Sequence, residues 1–101
     1  MARIIPLTKR WYIYIVRCAD STLYTGVTMD VVRRVAEHNG LRTNGARYTR
    51  ARRPVKLVYQ ERAANRSAAG KREYRIKRLT RREKLALIST ASRIISPTKK
   101  K

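Results

Sequence analysis

The run Trp11-Tyr12-Ile13-Tyr14-Ile15-Val16 is aromatic and β-branched without a break, which predicts a strand. Asp20-Ser21 supplies turn chemistry, and Leu23-Tyr24-Thr25-Gly26-Val27-Thr28 repeats the chemistry of the first run. Together they predict an antiparallel hairpin. A period of two sets Tyr12 and Tyr14 on one face of the first strand and Ile13 and Ile15 on the other. In the second strand Tyr24 and Gly26 share a face, opposite Leu23, Thr25 and Val27. Asp30 has N-cap character, so Val31 to Asn39 reads as a helix closed by Asn39-Gly40. Residues 41–53 read as a loop closed by Pro54, followed by a third strand, Val55-Lys56-Leu57-Val58-Tyr59. Ser67 to Leu79 reads as a helix despite Gly70, and Thr80-Arg81-Arg82-Glu83 is a capping box opening a last helix to about Ser89. The order β-β-α-β-α-α predicts an α+β (mixed α/β) fold built around a small sheet.

The length of 101 residues allows one domain. The expected division is a flexible tail over 1–10, a domain over 11–90 and a basic tail over 91–101. Charge changes the picture most. There are 26 Lys and Arg against 6 Asp and Glu, a formal net charge of +20. Residues 1–40 carry six bases and three acids, and residues 41–101 carry twenty and three. The first part therefore builds the core and the second presents an anion-binding face. A polyanionic partner follows, with nucleic acid foremost. A membrane surface is disfavoured, because the basic residues lack an amphipathic helix with large apolar anchors. No apolar run approaches the roughly 18 residues of a span, and the N-terminal apolar stretch is too short for a secretory signal. The single cysteine, Cys18, excludes an internal disulfide and a cysteine-based zinc site, which suits a reducing cytoplasm.

Within this frame a few residue types stand where phosphodiester chemistry needs them. Tyr14 and Tyr24 lie ten residues apart on adjacent strands, and Gly26 follows, where backbone could approach a ligand closely. The next helix carries Arg33, Arg34 and His38, with Arg34 and His38 four apart on one face. Glu73 is a lone carboxylate in the most basic helix, among Lys71, Arg72, Arg75, Lys77 and Arg78. Cleaving a phosphodiester takes an activated water, a cation facing the phosphate and usually a hard metal ion on carboxylate oxygen. Arg42, Arg47, Arg50, Arg52 and Arg53, unscreened by any acid, read as phosphate contacts, with Lys77 and Arg33 added to that face. Plainer roles compete. The tyrosines could be half-buried strand residues, and Glu73 could simply pair with Lys77 at i+4.

Tyr12-Ile13-Tyr14, then Tyr24-Thr25-Gly26, then Arg34 and His38, together resemble the GIY-YIG nuclease core. Glu73-Tyr74-Arg75-Ile76-Lys77-Arg78-Leu79 resembles the glutamate helix of the small stand-alone bacterial branch, with Tyr48-Thr49-Arg50 and Arg53-Pro54-Val55 between. The likeness runs from about Trp11 to Ile88. It implies a three-stranded antiparallel sheet flanked by helices and metal-dependent cleavage of DNA. By the same resemblance Tyr14 and Tyr24 match the two motif tyrosines, with Tyr24 helping to deprotonate water. Arg34 matches the arginine on the scissile phosphate, His38 the histidine one turn on, and Glu73 the single ligand of one Mg²⁺ or Mn²⁺. Two positions depart from the pattern: Tyr12 stands where the first motif has glycine, and Thr25 where isoleucine is usual. An asparagine that some members place after the glutamate has no counterpart beyond Asn65. The expectation is a structure-specific or single-strand-preferring DNA endonuclease needing no obligate protein partner, with RNA still open as substrate. The alternative is a non-catalytic, basic nucleic-acid-binding protein.

Overall fold

A computed structural model describes residues 10–40 and 46–95, with side chains described as far as Ala91. Arg42, residues 1–9 of the expected N-terminal tail and residues 96–101 of the expected C-terminal tail lie outside the described residues, whereas 91–95, also expected in that tail, continue the last helix. Three strands, β1 (Trp11–Arg17), β2 (Leu23–Thr28) and β3 (Lys56–Ala63), form an antiparallel sheet in the order β2-β1-β3. Four helices complete the chain: α1 (Val31–His38), α2 (Arg47–Arg50), α3 (Arg66–Lys77) and α4 (Arg81–Ile95). The α+β class and the β-β-α-β-α-α order hold, with α2 as an added turn of helix.

The central strand explains its own composition. β1 is covered on both faces, so both of its alternating sets are apolar or aromatic. Ile13 and Ile15 join Tyr59, Ala69, Ile76 and Ile88 in one cluster, beneath α3 and α4. Tyr14 and Val16 join Cys18 and Val55 in a second, with Tyr24, Val35 and Leu57 packed against it. Strand pairing sets Tyr14 opposite Gly26 and Ile15 opposite Thr25. The predicted partition of faces is the observed one.

The local signals act as read. Asp30 accepts the Arg33 N–H at 3.0 Å and caps α1, and Asn65 does the same for α3 through Ala68 at 2.8 Å. In the capping box Thr80 N–H donates to Glu83 at 2.8 Å, and Glu83 N–H donates to the Thr80 hydroxyl at 3.1 Å. Most boundaries shift by one or two residues, α3 ending at Lys77 rather than Leu79, and three differences are larger. β3 continues four residues past Tyr59, because Gln60-Glu61-Arg62-Ala63 keep pairing with β1 although three of their side chains are polar. α4 runs to Ile95 rather than Ser89, since no helix breaker intervenes before Pro97. α2 interrupts the predicted loop, and four residues are too few to show a helical period.

Candidate active site

The site grows from the contact between Gly26 and Tyr14. A Cβ built on Gly26 would stand 2.6 Å from the Tyr14 hydroxyl oxygen and 2.8 Å from Cζ. Only a missing side chain lets the phenol ring lie across β2. This corrects the expectation that Gly26 admits a ligand: the group approaching its backbone is Tyr14 itself.

From there Tyr14 reaches α1. Its hydroxyl lies 2.7 Å from His38 Nε2, and His38 Nδ1 lies 2.7 Å from the Thr49 hydroxyl. Thr49 in turn donates to the Ala46 carbonyl at 3.1 Å. A hydroxyl has one proton, so Thr49 must accept from Nδ1–H. Nε2 is then bare and accepts from Tyr14. The directions assign one tautomer: His38 carries its proton on Nδ1 and presents a free base to the phenol. Tyr14, His38 and Thr49 are all buried, at 1%, 0% and 0% exposure.

Burial also sets the charges. It pushes the Tyr14 hydroxyl up to about 12, opposed by a hydrogen bond from Arg34. It pushes His38 down to about 4, helped by the neighbouring Arg34 and Arg53 charges and opposed by Glu37. At neutral pH the pair is therefore a neutral phenol on a neutral imidazole. Burial works against the Arg34 charge, but its bonds to Glu37 and Tyr14 outweigh that and hold it above the ordinary arginine value. Glu37 grips Arg34 at 2.7 Å and Arg33 at 3.2 Å. The Arg34 bond, with both arginine charges behind it, holds Glu37 below the usual carboxylate range.

Tyr24 closes the cluster by ring contacts. Its ring meets the His38 ring edge-on at 5.2 Å and stacks on Tyr48 at 5.6 Å. Arg52 covers Tyr48 at 4.1 Å. Glu73, on α3, is near enough for its charge to act on Tyr14. A groove of about 420 Å³ opens beside Arg34, lined also by Trp11, Met29, Asp30 and Glu37.

Tyr14, Tyr24, Gly26, Arg34 and His38 thus lie in one cluster, while Glu73 is paired with Lys77 on α3. The expected phosphate contacts divide. Arg47 and Arg50 are exposed on α2. Arg52 is taken up by Asp20 at 3.0 Å and the Tyr48 carbonyl at 2.8 Å. Arg53 donates to the His38 carbonyl at 2.6 Å, where the α1 C-terminus favours a cation. Arg33 is exposed beside Glu37, and Lys77 sits 3.2 Å from Glu73. Sequence reasoning gave no role to Thr49, Tyr48 or Glu37. The Tyr48-Thr49-Arg50 triplet was visible, but nothing local shows that Thr49 faces a histidine eleven residues back.

The GIY-YIG catalytic domain model matches residues 10–86. The chain belongs to the GIY-YIG family. It therefore carries a nuclease-type domain whose substrate is nucleic acid. This GIY-YIG chain is 53% identical over 90 residues to UPF0213 protein DP2720 of Desulfotalea psychrophila, covering 87% of this chain and 81% of the relative. It is 54% identical over 78 residues to UPF0213 protein SSP2268 of Staphylococcus saprophyticus, covering 77% and 93%. Among solved structures it resembles UPF0213 protein BH0048 of Bacillus halodurans, with TM-score 0.52, 41% identity and coverage of 80% and 84%. It also resembles EF2693 of E. faecalis, with TM-score 0.57, 35% identity and coverage of 83% and 88%. No helix among the described residues is long and apolar enough to cross a membrane.

Proposed function

We propose that this GIY-YIG domain is a divalent-metal-dependent endonuclease hydrolysing phosphodiester bonds in DNA, structure-specific or single-strand-preferring, in the cytoplasm. The observation that carries the reading is the Tyr14 hydroxyl, held between the Arg34 guanidinium and the bare Nε2 of His38. Ordinary core packing does not bury a phenol against a free base and a cation at one point. Arg34 supplies positive charge for the scissile phosphate, where charge builds as the bond breaks. Tyr24, its ring fixed by His38 and Tyr48, orients the attacking water. Tyr14 and His38 hold a proton path: a proton reaching the Tyr14 oxygen releases the phenol proton to Nε2. Burial raises Tyr14 to about 12 and lowers His38 to about 4, so a standing tyrosinate–imidazolium pair is disfavoured. Proton movement is therefore coupled to attack rather than preceding it.

The donor set suits a single metal ion. Among the described residues no three His, Cys, Asp or Glu converge, so a lone carboxylate, Glu73, would hold Mg²⁺ or Mn²⁺ with water and substrate oxygen completing the shell. Among the described residues Glu73 is bound only to Lys77, a half-exposed lysine, and such pairs are worth about 0.5 kcal/mol or less. Displacing it is easy. When bound there, the ion supplies charge that neutralises the phosphate oxygens.

The test is a paired binding and cleavage assay on wild type and Glu73→Gln. Labelled single-stranded, duplex and branched DNA, and RNA, are incubated with Mg²⁺, Mn²⁺ or EDTA. The proposal expects metal-dependent cleavage of DNA that vanishes in Glu73→Gln while binding is kept. Salt-sensitive binding with no cleavage by wild type would favour the non-catalytic reading, and equal cleavage by both proteins would remove Glu73 from the site.

A further inference from the structure

Gly70 has no reason to be glycine that the fold supplies. It lies inside α3, where glycine costs about 1 kcal/mol relative to alanine. Its backbone is ordinary helix, and a Cβ built on it meets nothing within 4 Å. Neither conformation nor packing excludes a side chain there. The gap forms the floor of a groove of about 560 Å³, lined by Ser67, Gly70, Lys71, Tyr74 and Arg75.

The stripe 70-74-78 has an order to it. Helical side chains lean toward the N-terminus, so the Tyr74 ring leans over Gly70 and Arg78 leans over Tyr74. Arg78 indeed lies 5.4 Å from the Tyr74 ring centroid. Tyr74 is 62% exposed, although it is a large aromatic residue. Among the described residues Lys71, Arg75 and Arg78 enter no ion pair, and the one acid on α3, Glu73, is paired with Lys77.

We propose that the outer face of α3 is a substrate subsite: an unpaired nucleobase enters the gap above Gly70 and stacks on Tyr74, with its phosphates on Lys71 and Arg75. The occupant is set by two features together. The three unpaired cations call for a polyanion, and the open aromatic beside a missing side chain calls for a flat ring. Gly70 is three residues before Glu73, so the same strand continues from this slot to the candidate metal ligand. In that last respect the inference rests on the nuclease reading; the slot itself does not.

The experiment measures binding of fluorescent 12-nucleotide strands by anisotropy in EDTA, where cleavage is absent. One strand is oligothymidylate and the other is an abasic strand of equal charge. Tyr74→Ala should weaken binding of the thymidylate strand about tenfold. It should leave the abasic strand nearly unchanged, and Tyr74→Trp should restore affinity. Gly70→Ala should raise Tm by about 4 °C, as a helix-favouring change without a clash does, and yet weaken thymidylate binding several-fold. Gly70→Ala that is more stable and binds as wild type would overturn the proposal. So would a Tyr74→Ala loss equal on both strands, which would mark a purely electrostatic face or a surface for another protein. Because the readout is binding, an inactive wild-type protein would remove the nuclease reading and leave this test standing.

Discussion

His38 is the chain's one histidine and is fully buried, so its protonation can be followed without interference from another imidazole. Above about pH 6.5 the ring is neutral in both the folded and the unfolded chain, and stability does not depend on it. Below that, the unfolded chain takes up a proton that the folded chain refuses, because burial and the Arg34 charge hold the folded value near 4. Stability therefore falls from about pH 6.5 down to about pH 4, and the loss then stops. The interval from 6.5 to about 4 corresponds to roughly 3 kcal/mol, a large share of the stability of a domain this size. Urea unfolding at half-unit steps from pH 7.5 to 4 measures it, with His38→Gln as the control lacking the group. The Asp20 and Glu37 carboxyls are both held below their ordinary range, Asp20 chiefly by its bonds from Thr22, Glu37 chiefly by Arg34, so their own losses begin only at about pH 5 and appear in the His38→Gln curve as well. Ring NMR on the wild type gives a second readout: a midpoint near 4, with the proton on Nδ1 in the neutral form. A midpoint near 6.5, or the proton on Nε2, would refute both the burial argument and the direction of the Tyr14–His38 bond.

Two further substitutions test the framework around the site. Gly26→Ala puts a methyl 2.6 Å from the Tyr14 oxygen, and relief to the ordinary 3.4 Å moves the phenol by about 0.8 Å. It should cost about 1–3 kcal/mol in thermal unfolding and at least tenfold in any nuclease rate, since the phenol leaves His38; unchanged values for both would show that the ring is not held by this contact. Thr25 is 3% exposed and its hydroxyl has no partner among the described residues, so Thr25→Val should stabilise by about 1 kcal/mol and raise Tm by about 5 °C. A lower Tm would mean that the hydroxyl is satisfied in solution.

The parts of the molecule that were legible in the sequence are those whose physics is local. Alternation in β1 and β2 assigned Tyr14 and Ile13 to opposite faces, because period two is a property of the strand alone. Asp30 and the Thr80–Glu83 box announced helix starts, because a cap is a contact across three residues. Arg34 and His38 were read as one face for the same reason. What escaped reading is non-local. Thr49 fixes the His38 tautomer from a different element, and no spacing rule connects residues 38 and 49. Asn39, read only as a helix end, also holds Val55 by two bonds, 3.0 Å from its side-chain N–H and 2.6 Å to its side-chain oxygen. The basic loop misled in another way. Its arginines look alike in the sequence, whereas Arg52 and Arg53 are tied to Asp20 and to the α1 C-terminus, and Arg47 and Arg50 point into solvent.

The same question of what each charge is tied to bears on Glu73. The chain has six acidic side chains, all within the described residues, and each is bonded to a neighbouring group. Asp30 and Glu83 cap helices, Asp20 holds the β1–β2 turn through Thr22, and Glu37 grips Arg33 and Arg34. Glu61 takes Arg72 through two bonds and the Tyr59 hydroxyl as well, a contact that together with burial pushes Tyr59 up to about 12. Each of these five holds the fold together by hydrogen bonds to backbone, to a hydroxyl or to an arginine fork, and removing one would leave such a group unanswered. Glu73 differs in kind. Its partner is a flexible, half-exposed lysine one turn away, and losing that contact orphans nothing. In a chain with 26 cations, a carboxylate that neither caps nor clamps is the one whose loss the fold can absorb. That is why Glu73→Gln separates chemistry from folding: stability should stay within about 0.5 kcal/mol of wild type, so a loss of cleavage would belong to the site.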